Sequence, residues 1–169
     1  MLSEEAKEYI KYNNVLLKED NFQEFFNECD DNNKCELAEF FLFDCKINFL
    51  EYMTEIPEWL FYSSEKLKNI SIPNNIIKIN DNAFHNCDKL KSISIPDSVI
   101  EIEKEAFCWC ESLQSITIPD SVTKIGKNAF YMCNSLKEIK IPKHLKENGL
   151  ELSNIGIYSW SDIKKITYY

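Results

Sequence analysis

LKSISIPDSVIEIEKEAFCWCES, residues 90–112, decides the fold, because the chain writes it again on either side. Residues 67–89 read LKNISIPNNIIKINDNAFHNCDK and residues 113–135 read LQSITIPDSVTKIGKNAFYMCNS, so the period is 23 each time. Self-similarity at a fixed period in this range is the signature of a solenoid, in which one unit cannot bury its apolar face alone and stacking builds a continuous core.

The pattern of one unit predicts its path. In Leu90-x-x-Ile93-x-Ile95 the apolar residues alternate with serines, which reads as a short strand with Ile93 and Ile95 inward and Ser92 and Ser94 outward. Pro96 has no N–H to give a ladder and ends the strand in a turn with Asp97 and Ser98. Val99 and Ile102 bury the return stretch, and Ala106, Phe107 and Cys110 read as a single helical or 3₁₀ turn filling the interior. Stacking then sets like residues in register: Ile72, Ile95, Ile118 and Ile141 in one ladder, Phe61, Phe84, Phe107 and Phe130 in another.

The flanks hold weaker units. Residues 44–66 place Ile47, Phe49, Met53, Ile56, Leu60 and Phe61 on the apolar positions of a degenerate rung lacking the Pro, the leading Leu and the Cys. A closing rung over 136–169 opens as LKEIKIP and keeps Leu145, and its next strand-like run, Ile163 to Tyr168, comes after 27 residues rather than 23. Weakened terminal units are expected where one side of a rung faces solvent or a cap.

These rungs resemble the BspA-like class of leucine-rich repeats, whose unit reads roughly LxxIxIPxxVxxIgxxAFxxC. Residues 67–142 match it almost position by position, and the degenerate flanks carry the likeness over most of 46–169. The resemblance implies a leucine-rich-repeat solenoid of stacked parallel strands. With the helical N-terminus read below, the fold class is α+β. It also implies a binding surface rather than an enzyme.

Residues 1–45 lack the repeat and read as an acidic helical cap, with 46–169 as the solenoid. Ser3 caps a first helix, Asp20-x-x-Gln23 is a capping box for a second carrying Phe22, Phe25, Phe26 and Cys29 on one face, and a third runs from near Asn33 to Cys45. The third is apolar nearly all round, so it is expected between the other helices and the first rung. Charge divides unevenly: residues 1–45 hold 12 acids against 4 Lys, whereas 46–169 hold 16 against 15.

Composition sets further bounds. An apolar content of 44 % and an aromatic content of 13 % exclude a disordered acidic tail. No stretch approaches the ~20 apolar residues of a membrane span, and acids stand where a secretory signal needs a basic region, so a cytoplasmic protein is expected. The seven cysteines then read as thiols. All 19 basic residues are Lys, which leaves no guanidinium clamp for phosphate or guanine, and with a net charge of −9 a nucleic-acid partner is not expected.

Three sets of candidate residues follow from the register. The outward sheet positions Ser71, Ser94, Thr117 and Lys140, bordered by Lys91 and Lys137, lie where solenoids bind partners, although small polar rows also serve as plain solvated sheet. His85, Trp109, Tyr131 and Met132, just past the Phe ladder, are of the types enriched at binding hot spots. Glu24, Glu28, Asp30 and Asp31 on the cap would suit a basic partner. The function expected is therefore recognition of another protein. A narrower alternative is an acidic inhibitor of a basic intracellular enzyme such as a nuclease, in the manner of immunity or phage anti-defence proteins. A thiol enzyme built on His85 and Cys108 is the third reading, but the sequence offers no group to orient the pair and no oxyanion donors. Cys108-x-Cys110 with His85 makes a poor zinc site, because packing explains Cys110 and no fourth ligand is evident. No metal or cofactor is expected.

Overall fold

The computed structural model describes residues 23, 26, 27, 29, 31–44, 49–158, 163 and 165–169. The expected first helix and the acids Glu24, Glu28 and Asp30 lie outside them. In chain order the described elements are α1 (Asp31–Glu39), a π-helical turn (Phe40–Asp44), a 3₁₀ turn (Phe49–Tyr52), β1 (Glu55–Ile56), β2 (Asn69–Ser71), β3 (Lys78–Ile79), β4 (Ser92–Ser94), β5 (Glu101–Ile102), β6 (Ser115–Thr117), β7 (Lys124–Ile125), β8 (Glu138–Ile141), α2 (Lys143–Glu147) and β9 (Lys165–Tyr168).

The period of 23 becomes register. Strand β2 pairs in parallel with β4, Ile70 opposite Ile93 and Ser71 opposite Ser94, and β6 pairs with β8, Ile116 opposite Ile139. Strand β9 closes this face beside β8 with Glu138 opposite Lys165, the 27-residue step read from the sequence. The face is interrupted between β4 and β6. Ile95 is only half-buried there, whereas Ile72, Ile118 and Ile141 are buried.

Each rung also carries a second strand that the sequence reading treats only as a return stretch. β1, β3, β5 and β7 form a four-stranded parallel sheet, with Ile56, Ile79 and Ile102 buried in register and Ile125 half-buried. Two residues are too few to show an alternation, so periodicity cannot reveal them. The other position of these strands alternates in sign, Glu55, Lys78, Glu101 and Lys124. Lys78 lies 3.3 Å from Glu101 and 3.0 Å from Glu103, and Lys124 2.8 Å from Glu103. Burial pushes the Glu103 carboxyl up, but its bonds from Lys124 and Lys78 outweigh that and hold it below the usual range. This sheet neutralises itself across its strands.

The AFxxC segment is not the helical turn expected. Alternate amides bond within the turn and between rungs: Ala106, Cys108 and Cys110 donate to Glu103, Glu105 and Phe107, while Glu105, Phe107 and Trp109 donate to Lys127, Ala129 and Tyr131 of the next rung. Left-handed residues at two positions per rung produce this alternation. They are Trp59, Asn82, Glu105 and Asn128 in one column and Ser63, Asn86, Trp109 and Met132 in the other, all with φ between 55° and 62°. Such a φ aims amides along the stack, which a helix cannot do, and in bulky residues it costs on the order of 1 kcal/mol each.

Two ladders run through the interior and a third lies nearer the surface. Phe61, Phe84, Phe107 and Phe130 stack face to face with centroids 5.0, 5.1 and 5.7 Å apart and ring planes within 15°. The thiols of Cys87, Cys110 and Cys133 donate to the carbonyls of Phe61, Phe84 and Phe107, each on the preceding rung, at 3.0 to 3.2 Å. A small donor suits that position better than a larger apolar group. Nearer the surface, Ser98, Ser121 and His144 bond the carbonyls of Ile76, Val99 and Val122 at 2.7 to 2.8 Å. His144 is thus occupied as a structural bond.

The third cap helix differs from expectation. It starts at Asp31 and ends as an α-helix at Glu39, where the chain widens into the π-helical turn. Four bulky residues in sequence, Phe40 to Phe43, cannot all face the core. Phe41 is buried, meeting Phe26 edge-on at 6.2 Å, while Phe43 remains 39 % exposed. So the segment is not covered all round. The N-terminal segment bonds the first rung specifically: Gln23, ahead of this helix, accepts from the amides of Thr54 and of Glu55 in the edge strand, and buried Lys34 of the helix donates to the Glu58 carbonyl. Ser64 stands in the Cys column, and its hydroxyl donates to Glu39, which also accepts the Lys66 amide. Replacing Glu39 with Gln weakens a charge-assisted bond at a buried hydroxyl and is expected to cost about 1 kcal/mol. Urea unfolding checks it, and a double-mutant cycle with Ser64→Ala isolates the pair.

Candidate functional site

The outward positions of the first face are as small and polar as their spacing implies. Ser71, Ser94, Thr117 and Lys140 are exposed, and Ser92 donates to Asn69 across the strands at 2.7 Å. Lys91 and Lys137 are exposed in the next column, where their amides continue the rung ladder to Lys68 and Gln114. No aromatic side chain stands among them. Asp31 opens α1, at a distance in sequence from either surface.

The turn beyond the Phe ladder is chemically richer. Trp109 is 38 % exposed, and its ring meets Tyr131 edge-on at 6.4 Å; Tyr131 in turn meets Tyr158 edge-on at 5.9 Å. Tyr158 comes from the closing turn, is 63 % exposed and is held by a bond from its hydroxyl to Asn128. Towards the N-terminus the row continues through His85, whose ring lies 5.5 Å from Tyr62 and 5.9 Å from Trp59. Tyr62 is 41 % exposed, and Met132 is half-buried. The structure therefore forms two aromatic clusters along this turn, Trp59, Tyr62 and His85 in one and Trp109, Tyr131 and Tyr158 in the other, with Cys108 between His85 and Tyr131 in the column. Trp59 and Tyr62 stand in register with the sequence columns. Tyr158 does not, since the period lapses before it.

His85 and Cys108 do come together, with Glu105: one donor atom from each lies within 4.8 Å of the others. Burial, then the nearby Glu105 carboxylate, push the Cys108 thiol up to about 11, so it is held as the thiol rather than the reactive thiolate. Burial pushes His85 down, against the pull of Glu105. Cys110 faces the core, bonded to Phe84, and takes no part.

The sequence profile described as BspA type leucine rich repeat region matches residues 54–168, in six copies. The chain belongs to the BspA-type leucine-rich repeat family. Members of this family generally act in protein interaction. Among solved structures, this BspA-type chain is similar to a leucine rich cell surface protein from Faecalibacterium prausnitzii, at 28 % identity and a TM-score of 0.58 over 69 % of this chain and 30 % of that one. It therefore spans less than a third of that protein's length. A leucine-rich repeat protein from Bacteroides ovatus is matched at 25 % identity and a TM-score of 0.42, covering 70 % of this chain and 40 % of that one. Among curated proteins, none matches the chain. None of the described helices is long and apolar enough to cross a membrane.

Proposed function

We propose that this chain is a non-enzymatic protein-binding module whose contact surface is the pair of aromatic clusters along this turn, Trp59 with Tyr62 and Trp109 with Tyr131 and Tyr158. The observation that carries the reading is that these rings stay at the surface side by side, edge against face, in a chain with a core able to bury aromatics. Rings held by each other lose little freedom when a partner covers them, which favours affinity per unit area. Lys78, Glu101 and Lys124 on the second sheet are already in ion pairs, and the serine rows of the first offer no large anchor.

Trp109→Asn tests this cleanly. Asn86 occupies the same left-handed position one rung earlier, so the backbone accepts the change. In affinity capture from host extract, a partner retained by the wild-type chain is expected to bind the variant at least about 2 kcal/mol more weakly. Melting temperature is expected to stay level. Lys91→Glu with Lys137→Glu is expected to retain the partner; loss there, with Trp109→Asn unaffected, moves the binding surface to the sheet.

A further inference from the structure

We propose that His85, Glu105 and Cys108 form a binding site for a single thiophilic divalent cation of the zinc class. The inference rests on the turn geometry, independently of the protein-binding reading. A tetrahedral site with ligand bonds of about 2.0–2.3 Å sets its donors about 3.3–3.8 Å apart. The three donor atoms here already lie within 4.8 Å of one another, so side-chain rotations of about 1 Å complete the arrangement.

The backbone beneath them is fixed. Glu105 and Cys108 sit three apart in one turn, Glu105 at a left-handed φ of 55°, and the Cys108 amide donates to the Glu105 carbonyl. The rung carrying His85 is bonded on either side of it, Phe84 to Ala106 at 2.8 Å and Asn86 to Cys108 at 2.7 Å. The rings of Trp59 and Tyr62 lie beside the imidazole from the preceding rung. Sites built on such rigid elements lose little order on binding.

The cluster is also a departure from the repeat. The column of His85 and Cys108 is otherwise Tyr62 and Tyr131, and the column of Glu105 is otherwise Trp59, Asn82 and Asn128. At this step alone among the described rungs, nitrogen, oxygen and sulfur donors coincide, and this mixture is one that zinc accepts. The sequence reading weighed Cys108-x-Cys110 with His85 and did not include Glu105.

Two costs in the present arrangement would be relieved by a cation. His85 Nδ1 is buried and has no hydrogen-bond partner among the described residues. Cys108, 3 % exposed, has a carboxylate as its neighbour. A dication would compensate that carboxylate and stabilise the deprotonated sulfur, the thiol proton passing to solvent. Three protein donors leave one coordination position for water.

The test is a Co²⁺ titration of the full reduced chain, followed by Zn²⁺ competition. The expected result is one equivalent bound, a thiolate-to-cobalt charge-transfer band, loss of the band when Zn²⁺ is added, and a higher melting temperature with Zn²⁺. Cys108→Ser and His85→Asn should each abolish the band while leaving the metal-free circular dichroism and cooperative melt unchanged. Glu105→Gln should weaken binding at least about tenfold, by the measure of lost ligand-shell groups. Absence of the band at any ratio would overturn the proposal. So would a band that survives in either the Cys108 or the His85 variant, since it would come from another of the seven cysteines.

Discussion

Phe107→Ala is expected to remove about 3–5 kcal/mol of unfolding free energy, the upper range for an aromatic truncated in a core. Phe107 is fully buried, with Phe84 stacked on one face at 5.1 Å and Phe130 on the other at 5.7 Å. The cavity cannot close, because rung spacing is fixed on both sides by the bonds from Phe84 to Ala106 and from Phe107 to Ala129. The loss should therefore include the transfer term and nearly the full cavity term. Urea titration by circular dichroism measures it, with the slope unchanged if unfolding stays two-state. Phe107→Leu, which fills much of the space, should cost clearly less. A loss below about 1 kcal/mol for the alanine variant would place the ladder outside the stabilising core.

The second large effect is expected at the closing rung. Gly156 has a φ of +93°, and a Cβ there would stand 2.6 Å from the Tyr131 nitrogen and 2.7 Å from its Cα. Both obstacles are backbone, so no side-chain rotation relieves them. Gly156→Ala combines about 1–2 kcal/mol of left-handed strain with about 1–3 kcal/mol of overpacking. Gly149 is the matched control: its φ is +88°, but a Cβ there meets nothing within 4 Å, so Gly149→Ala should cost only the strain. The damage at Gly156 should be local first. Asn154 and Ile155 accept the amides of Asn128 and Phe130, and hydrogen exchange at those two amides should accelerate in the Gly156 variant and stay slow in the Gly149 variant.

The sequence made the stack legible because a repeated side chain in a parallel solenoid is a repeated contact. Leu90, Ile93, Phe107 and Cys110 each fall where the pattern puts them, and the Phe column shows it most directly. Other features carry no such signature. The strands at Lys78–Ile79 and Glu101–Ile102 are too short for alternation to register. The left-handed turns are occupied by Trp59, Glu105, Trp109 and Met132 rather than Gly, so the residue type that normally announces a positive φ is missing. Without those turns AFxxC reads as helical. The surface was half legible: Trp109 and Tyr131 could be placed by register, while Tyr158 meets Tyr131 only through the irregular closing turn.

The central claim, that the molecule is an in-register stack of interchangeable rungs, is tested most directly by removing one whole rung. Deletion of residues 90–112 joins Lys89 to Leu113, restores every column and sets Phe84 against Phe130. The shortened chain is expected to fold, to unfold in one cooperative urea transition and to be less stable than the parent, whereas a deletion of about half a rung, which breaks the stacking register, should abolish the transition. An unfolded chain after the 23-residue deletion, or equal tolerance of both deletions, would contradict the account.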